Sequence, residues 1–135
     1  MSRFAASSPE GRRSLIAEAI AAHRERDSDF LTVAVEESAV ESTDTPAGPP
    51  PWVQYRYRDE LLNLDCTDSE LPSVRSALET IGGATIREQQ QVDPGGVNLR
   101  VAVPGDAERV AMAIETILRE GFELPEGVRL WVVSI

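Results

Sequence analysis

The sequence predicts an α+β fold: a ferredoxin-like β-α-β-β-α-β sheet with an N-terminal helix and one or two added strands. Three observations lead there. From Leu62 to Ile135 the apolar pattern switches between a period of two and a helical period in that order. The same stretch carries a weak internal repeat: Leu62-Asn63-Leu64 is answered by Val97-Asn98-Leu99, and Ala77-Leu78-Glu79-Thr80-Ile81 by Ala113-Ile114-Glu115-Thr116-Ile117. Glycines and a proline punctuate it at Gly82-Gly83, Asp93-Pro94-Gly95-Gly96 and Gly121. With 135 residues, the chain reads as one domain, 1–135, able to bury a core without staples.

The first helix starts at Ser8, an N-cap residue, followed by Pro9 at the first helical position and Glu10 at the positive end of the dipole. Leu15, Ile16, Ala19, Ile20 and His23 share its apolar face; Arg12, Arg13, Glu18, Arg24 and Glu25 are expected mostly away from it. Phe30 to Glu36 reads as a strand, with Leu31, Val33 and Val35 alternating inward. Residues 37–51 hold acids, Ser, Thr and four prolines, and read as a mobile loop within the domain.

Trp52 to Arg58 alternates again: Val53, Tyr55 and Tyr57 on one side, Trp52, Gln54, Arg56 and Arg58 on the other. The strand either turns at Asp59-Glu60 or bends and runs on through Leu62, Leu64 and Cys66. Ser69 is the expected cap of the second helix, whose stripe is Leu71, Val74, Leu78 and Ile81. A polar strand over 84–91 turns into the strand of Val97, Leu99, Val101 and Val103. Asp106 caps the third helix, with Val110, Ala111, Ile114, Ile117 and Leu118 inward. Val128 to Ile135 closes the chain as a strand that is apolar on both faces. Val128, Leu130 and Val132 suit the helix side; Trp131, Val133 and Ile135 form a candidate interface on the other. Such a strand is usually covered on both faces. The first helix, whose stripe needs a surface, is the expected cover; a second subunit is the alternative.

All thirteen basic residues are arginine, against 23 Asp and Glu, for a net charge of −10. An acidic, lysine-free chain fits a cytoplasm kept at molar salt, where net charge maintains solubility. Single residues Cys66 and His23 exclude an intrachain disulfide and any Cys- or His-rich metal site within one chain. No apolar run approaches the roughly 20 residues of a membrane span, and the N-terminus lacks a signal-peptide core. A halophilic, cytoplasmic protein is expected, without membrane contact.

Candidates for chemistry are few. Trp52, Gln54, Arg56 and Arg58 could stack bases or clamp an anion, although strands favour aromatics for packing alone. His23 lacks an orienting partner nearby and reads as a helix-end histidine. Cys66 alternates inward and reads as a buried, inert thiol, while Asp65 and Asp68 make a weak cation signal. Pro104-Gly105-Asp106 opens a helix, but Asp106 at the cap repels an anion. No P-loop, GxGxxG, HExxH or GxSxG pattern occurs. No cofactor, metal site or catalytic residue is expected.

Three segments, Trp52-Val53-Gln54-Tyr55-Arg56, Leu61-Leu62-Asn63-Leu64-Asp65-Cys66-Thr67-Asp68 and Arg129-Leu130-Trp131-Val132, make residues 51–135 resemble a small haloarchaeal protein family. The resemblance carries no known activity and so no functional residues. The function expected first is a non-enzymatic binding or assembly module that self-associates through its sheet. The alternatives are a nucleic-acid-binding domain using Trp52 to Arg58, and an enzyme whose site is not visible in sequence. A homodimer and a nucleic acid are the partners left open.

Overall fold

The computed structural model describes residues 5–26, 30–35, 51–93, 96–124 and 127–134. In chain order they form β1 (Ala5–Ala6), α1 (Pro9–Arg26), β2 (Leu31–Val35), β3 (Trp52–Arg56), β4 (Leu61–Thr67), α2 (Leu71–Glu79), β5 (Thr85–Asp93), β6 (Gly96–Ala102), α3 (Ala107–Thr116) and β7 (Leu130–Ser134). A π-helical turn, Ile117–Gly121, extends α3. The strands make one antiparallel sheet in the order β1-β7-β2-β3-β4-β6-β5, in which β1 is a two-residue edge.

That order corrects the ferredoxin-like expectation. The part β4-β6-β5 matches it, but β7 belongs beside β4 in a ferredoxin-like sheet, and here β2 and β3 lie between them. Three strands are added, not one or two. The reason is local. β3 and β4 are a hairpin closed at residues 57–60, where Glu60 takes φ 56° and its N–H donates to Tyr57 O at 3.1 Å. β2 pairs with β3, and Val35 N–H donates to Pro51 O at 3.0 Å. These nearby pairings fill the edge of β4 that β7 would otherwise take. The segment read as a mobile loop lies, up to residue 50, outside the described residues.

The helical stripes fall as the periodicity requires. Val110, Ala111, Ile114, Ile117 and Leu118 are buried, as are Val74, Leu78 and Ile81. They join Leu31, Val33, Val53, Leu62, Leu64, Leu99, Val101 and Leu130 in one core on one face of the sheet. Register fixes that face: Val33 opposes both Val53 and Val132, Leu62 opposes Val101, and Leu64 opposes Leu99. Ser8 and Asp106 act as caps, their side chains accepting from Gly11 N–H at 3.0 Å and Arg109 N–H at 2.9 Å. Ser69 is not the cap: the N-cap position is Glu70, which makes no side-chain cap bond, and the turn before it is closed by a reciprocal pair in which Thr67 Oγ1 accepts from Glu70 N–H at 3.2 Å and Glu70 Oε1 from Thr67 N–H at 2.9 Å.

Two expectations about α1 are overturned. It does not cover the second face of the sheet. Ile16 and Ile20 are fully buried in the same core as α3, and the His23 ring meets Tyr55 edge-on at 5.7 Å. Arg12 does not face solvent either; it is completely buried. Its Nε and Nη2 donate to Glu115 Oε2 at 3.1 and 2.9 Å, and Nη1 to Ser7 O and Val128 O, both at 2.8 Å. A buried guanidinium needs such complete pairing, and the pairing ties α1, α3 and the approach to β7 together. Among the described residues, no helix is long and apolar enough to cross a membrane.

Candidate binding face

With α1, α2 and α3 all on one side, the other face of the sheet carries no helix among the described residues. Its composition follows from strand alternation. Trp131 opposes Ala34, and Ala34 opposes Trp52, so the two tryptophans stand in one row with a small residue between them. The next row runs Thr32, Gln54, Asn63, Arg100 and Glu88 across five strands. Trp131 is 41% exposed and Phe30 is 42% exposed; Trp52 is half-buried.

An amide ladder crosses the middle. Asn63 Nδ2 donates to Gln54 Oε1 at 3.5 Å, and Asn98 Nδ2 donates to both Asn63 Oδ1 and Asp65 Oδ1 at 2.8 Å. Beside it a shallow groove of about 200 Å³ is floored by Leu61 and Asn63 and walled by Phe30, Arg56 and Arg100. That is smaller than the 300–1,000 Å³ typical of small-ligand pockets. The Arg56 guanidinium lies 5.5 Å from the Phe30 ring centroid and donates to Asp59 Oδ2 from both Nε, at 2.9 Å, and Nη2. Arg100 Nη1 approaches Glu88 Oε1 at 3.7 Å. The cations that line the groove are therefore each matched by a carboxylate.

The structure brings Trp52, Gln54 and Arg56 onto this face together with Trp131. It separates Arg58, which sits exposed in the β3–β4 turn. Of the expected trio Trp131, Val133 and Ile135, Trp131 lies on this face. Val33 opposes Val132 but Thr32 opposes Ser134, so a one-residue register shift leaves Val133 between the paired positions. The Val133 side chain and Ile135 lie outside what is described. Sequence reasoning missed Phe30, Asn63, Asn98 and Arg100. The repeat that placed Asn63 and Asn98 at matching positions was the available signal, because the two side chains are hydrogen-bonded to each other.

His23 and Cys66 are both buried. His23 is fully buried, and its Nε2 accepts from Tyr57 N–H at 3.3 Å. Burial pushes the Tyr55 phenol above its ordinary pKa, although Arg24 Nη2 donates to its oxygen at 3.2 Å. Cys66 is 5% exposed, and burial, with nearby Glu70, Asp65 and Asp68, pushes its thiol up to about 11. Such a thiol is a poor nucleophile. A larger depression of about 610 Å³ opens at the start of α2 beside Ser73, Phe122 and Glu123. It is wide; serines and the Glu70 and Glu123 carboxylates line it, and the Ser69 and Ser73 hydroxyls bond Thr67 Oγ1 and Glu120 O rather than a carboxylate, so the sheet face is the better-defined feature.

The chain belongs to a family of unknown function, DUF7975, which it matches over residues 1–135. Comparison with curated proteins and with solved structures returned no match. DUF7975 brings no activity with it, so what the chain does must be argued from the face itself.

Proposed function

We propose that this DUF7975 chain is a non-enzymatic binding or assembly module whose working surface is the helix-free face of its sheet. One observation carries the reading: Trp131, Trp52 and Phe30 stand on a face that no helix among the described residues covers. Aromatic rings left exposed on one face of a sheet point to a contact surface. The shallow groove and the matched charges suit a broad contact better than a small substrate. Single-stranded nucleic acid on the same face is the second reading, supported by the aromatic rings and opposed by the carboxylate beside each groove arginine. We further infer a haloarchaeal lineage and a high-salt cytoplasm from the −10 charge and the absence of lysine. Hydroxyl-radical oxidation read by mass spectrometry tests the binding face. Trp131 and Trp52 should be protected in native extract relative to the dilute purified chain. Ready oxidation of both tryptophans to the same extent in extract and in the dilute chain would remove the basis for a binding face.

A further inference from the structure

We infer that the occupant of this face is a second copy of the same chain, docked sheet against sheet; the inference rests on the binding-face reading above. Charge is the first argument. Two chains of net charge −10 repel over most of their surfaces. The rows Trp131–Ala34–Trp52 and Thr32–Gln54–Asn63 are uncharged, and beyond them Arg56 is neutralised by Asp59 and Arg100 faces Glu88. Two copies that meet over those uncharged rows set few like charges together; the exposed Asp65, on the same face of β4, is held by Asn98 Nδ2 at 2.8 Å. A polyanion gains little from it, because the groove arginines already hold carboxylates.

Symmetry is the second argument. In a two-fold dimer, residues near the axis meet their own copies. β3 is the middle strand of seven, so an axis over it centres the contact and brings Trp52 and Gln54 near their equivalents. Those residue types are self-complementary. An amide both donates and accepts, and aromatic rings pack against each other.

Size is the third. Strand spacing of about 4.8 Å over seven strands, and a rise of about 3.3 Å over five residues, give a plan area on the order of 500 Å² before side-chain relief is counted. Relief brings this towards the roughly 800 Å² per partner of a stable interface. Facing sheets pack about 10 Å apart, which leaves room for both layers of aromatics and amides.

The test is sedimentation velocity on the full chain from low to molar KCl. A dimer is expected whose dissociation constant falls as KCl rises, because salt screens the repulsion of two acidic chains. Gln54→Glu, which preserves shape and the acceptor to Asn63, should raise that constant tenfold or more. Trp131→Glu should do the same, while Glu18→Gln on the exposed side of α1 should not. Circular-dichroism melts check that each variant folds, and Gln54→Glu keeps the test decisive if Trp131→Glu does not. A dimer indifferent to both face variants uses another surface and overturns the inference. So does a monomer at every salt concentration. A monomer that binds a labelled single-stranded oligonucleotide, more weakly as salt rises, refutes the second copy but keeps the binding face. A monomer whose Trp131 and Trp52 oxidise equally in extract and in purified form refutes both.

Discussion

Glu115→Gln tests whether the buried ion pair holds α1 to the rest of the molecule. The substitution removes one charge and almost no volume. Arg12 keeps its bonds to Ser7 O and Val128 O, and a glutamine oxygen can still accept from it, but its charge loses its counterpart. Removing one partner of a buried pair costs about 3–5 kcal/mol; the retained hydrogen bonds favour the lower end, about 3 kcal/mol. An unfolding entropy of roughly 2.1 cal/mol/K per residue over 135 residues converts that to a fall of about 11 °C in Tm. Circular-dichroism melts in low and molar KCl measure it. The fall should be similar in both, because a buried pair is little screened. Arg12→Met with Glu115→Leu should cost clearly less than the two single changes added together, since the charges leave as a pair. A Tm shift under about 4 °C for Glu115→Gln, or strict additivity in the cycle, would refute the latch.

Cys66 gives a pH signature. The native thiol keeps its proton to about 11, whereas its ordinary value is 9.0. Between those values the native state binds more protons than the unfolded chain, so stability should fall from pH 9 to 11, by roughly 1.4 kcal/mol per unit at most. Tyr55 adds a loss of the same sign at higher pH. Cys66→Ala should flatten the slope between 9 and 11; parallel slopes for wild type and variant would sink this account. Replacing residues 38–48 with a short Gly-Asn linker should leave Tm within about 2 °C, because Val35 and Pro51 are already hydrogen-bonded and loop closure depends weakly on length. Loss of the cooperative melt would show that the segment is structural. Gly105 has φ 135°, and a Cβ there would collide with Arg109 Cδ, so Gly105→Ala should lower stability by about 1–3 kcal/mol in denaturant titration; an unchanged midpoint contradicts the strain argument. Tm should rise with KCl if the acidic surface is a salt adaptation, and a flat or falling curve counts against a halophilic origin.

Periodicity made the stripes of α2 and α3 legible, because burial follows the period directly. Alternation likewise put Trp52, Gln54 and Arg56 on one face. It says which side of a strand is buried and nothing about which strand lies beside it. The position of β7 was therefore open, and Leu130 and Val132 fit β2 as well as they would fit β4. The stripe of α1 had the same defect: Ile16 and Ile20 demand a surface without naming one. Arg12 was misplaced because its partner Glu115 is 103 residues away, and no local pattern marks an arginine for burial. The binding face was half visible for the same reason. Its β3 residues come from one strand, but Asn98 and Arg100 reach it only through the pairing of β4 with β6.

The pairing of β7 with β1 and β2 also sets a timetable. β1 and one edge of β2 wait for β7, which is made after every other described strand, whereas β3, the other neighbour of β2, is made next after it. At about 5–20 residues per second, the 103 residues that separate Arg12 from Glu115 take on the order of ten seconds to make. Throughout that interval Ile16, Ile20 and Val33 await part of their cover, and Arg12 lacks both Glu115 and the Val128 carbonyl until late. The N-terminal half therefore cannot finish folding as it emerges. A stop codon before Leu130 would remove more than a fraying end: it would take the strand that joins β1 to the sheet and turn β2 into an uncovered edge.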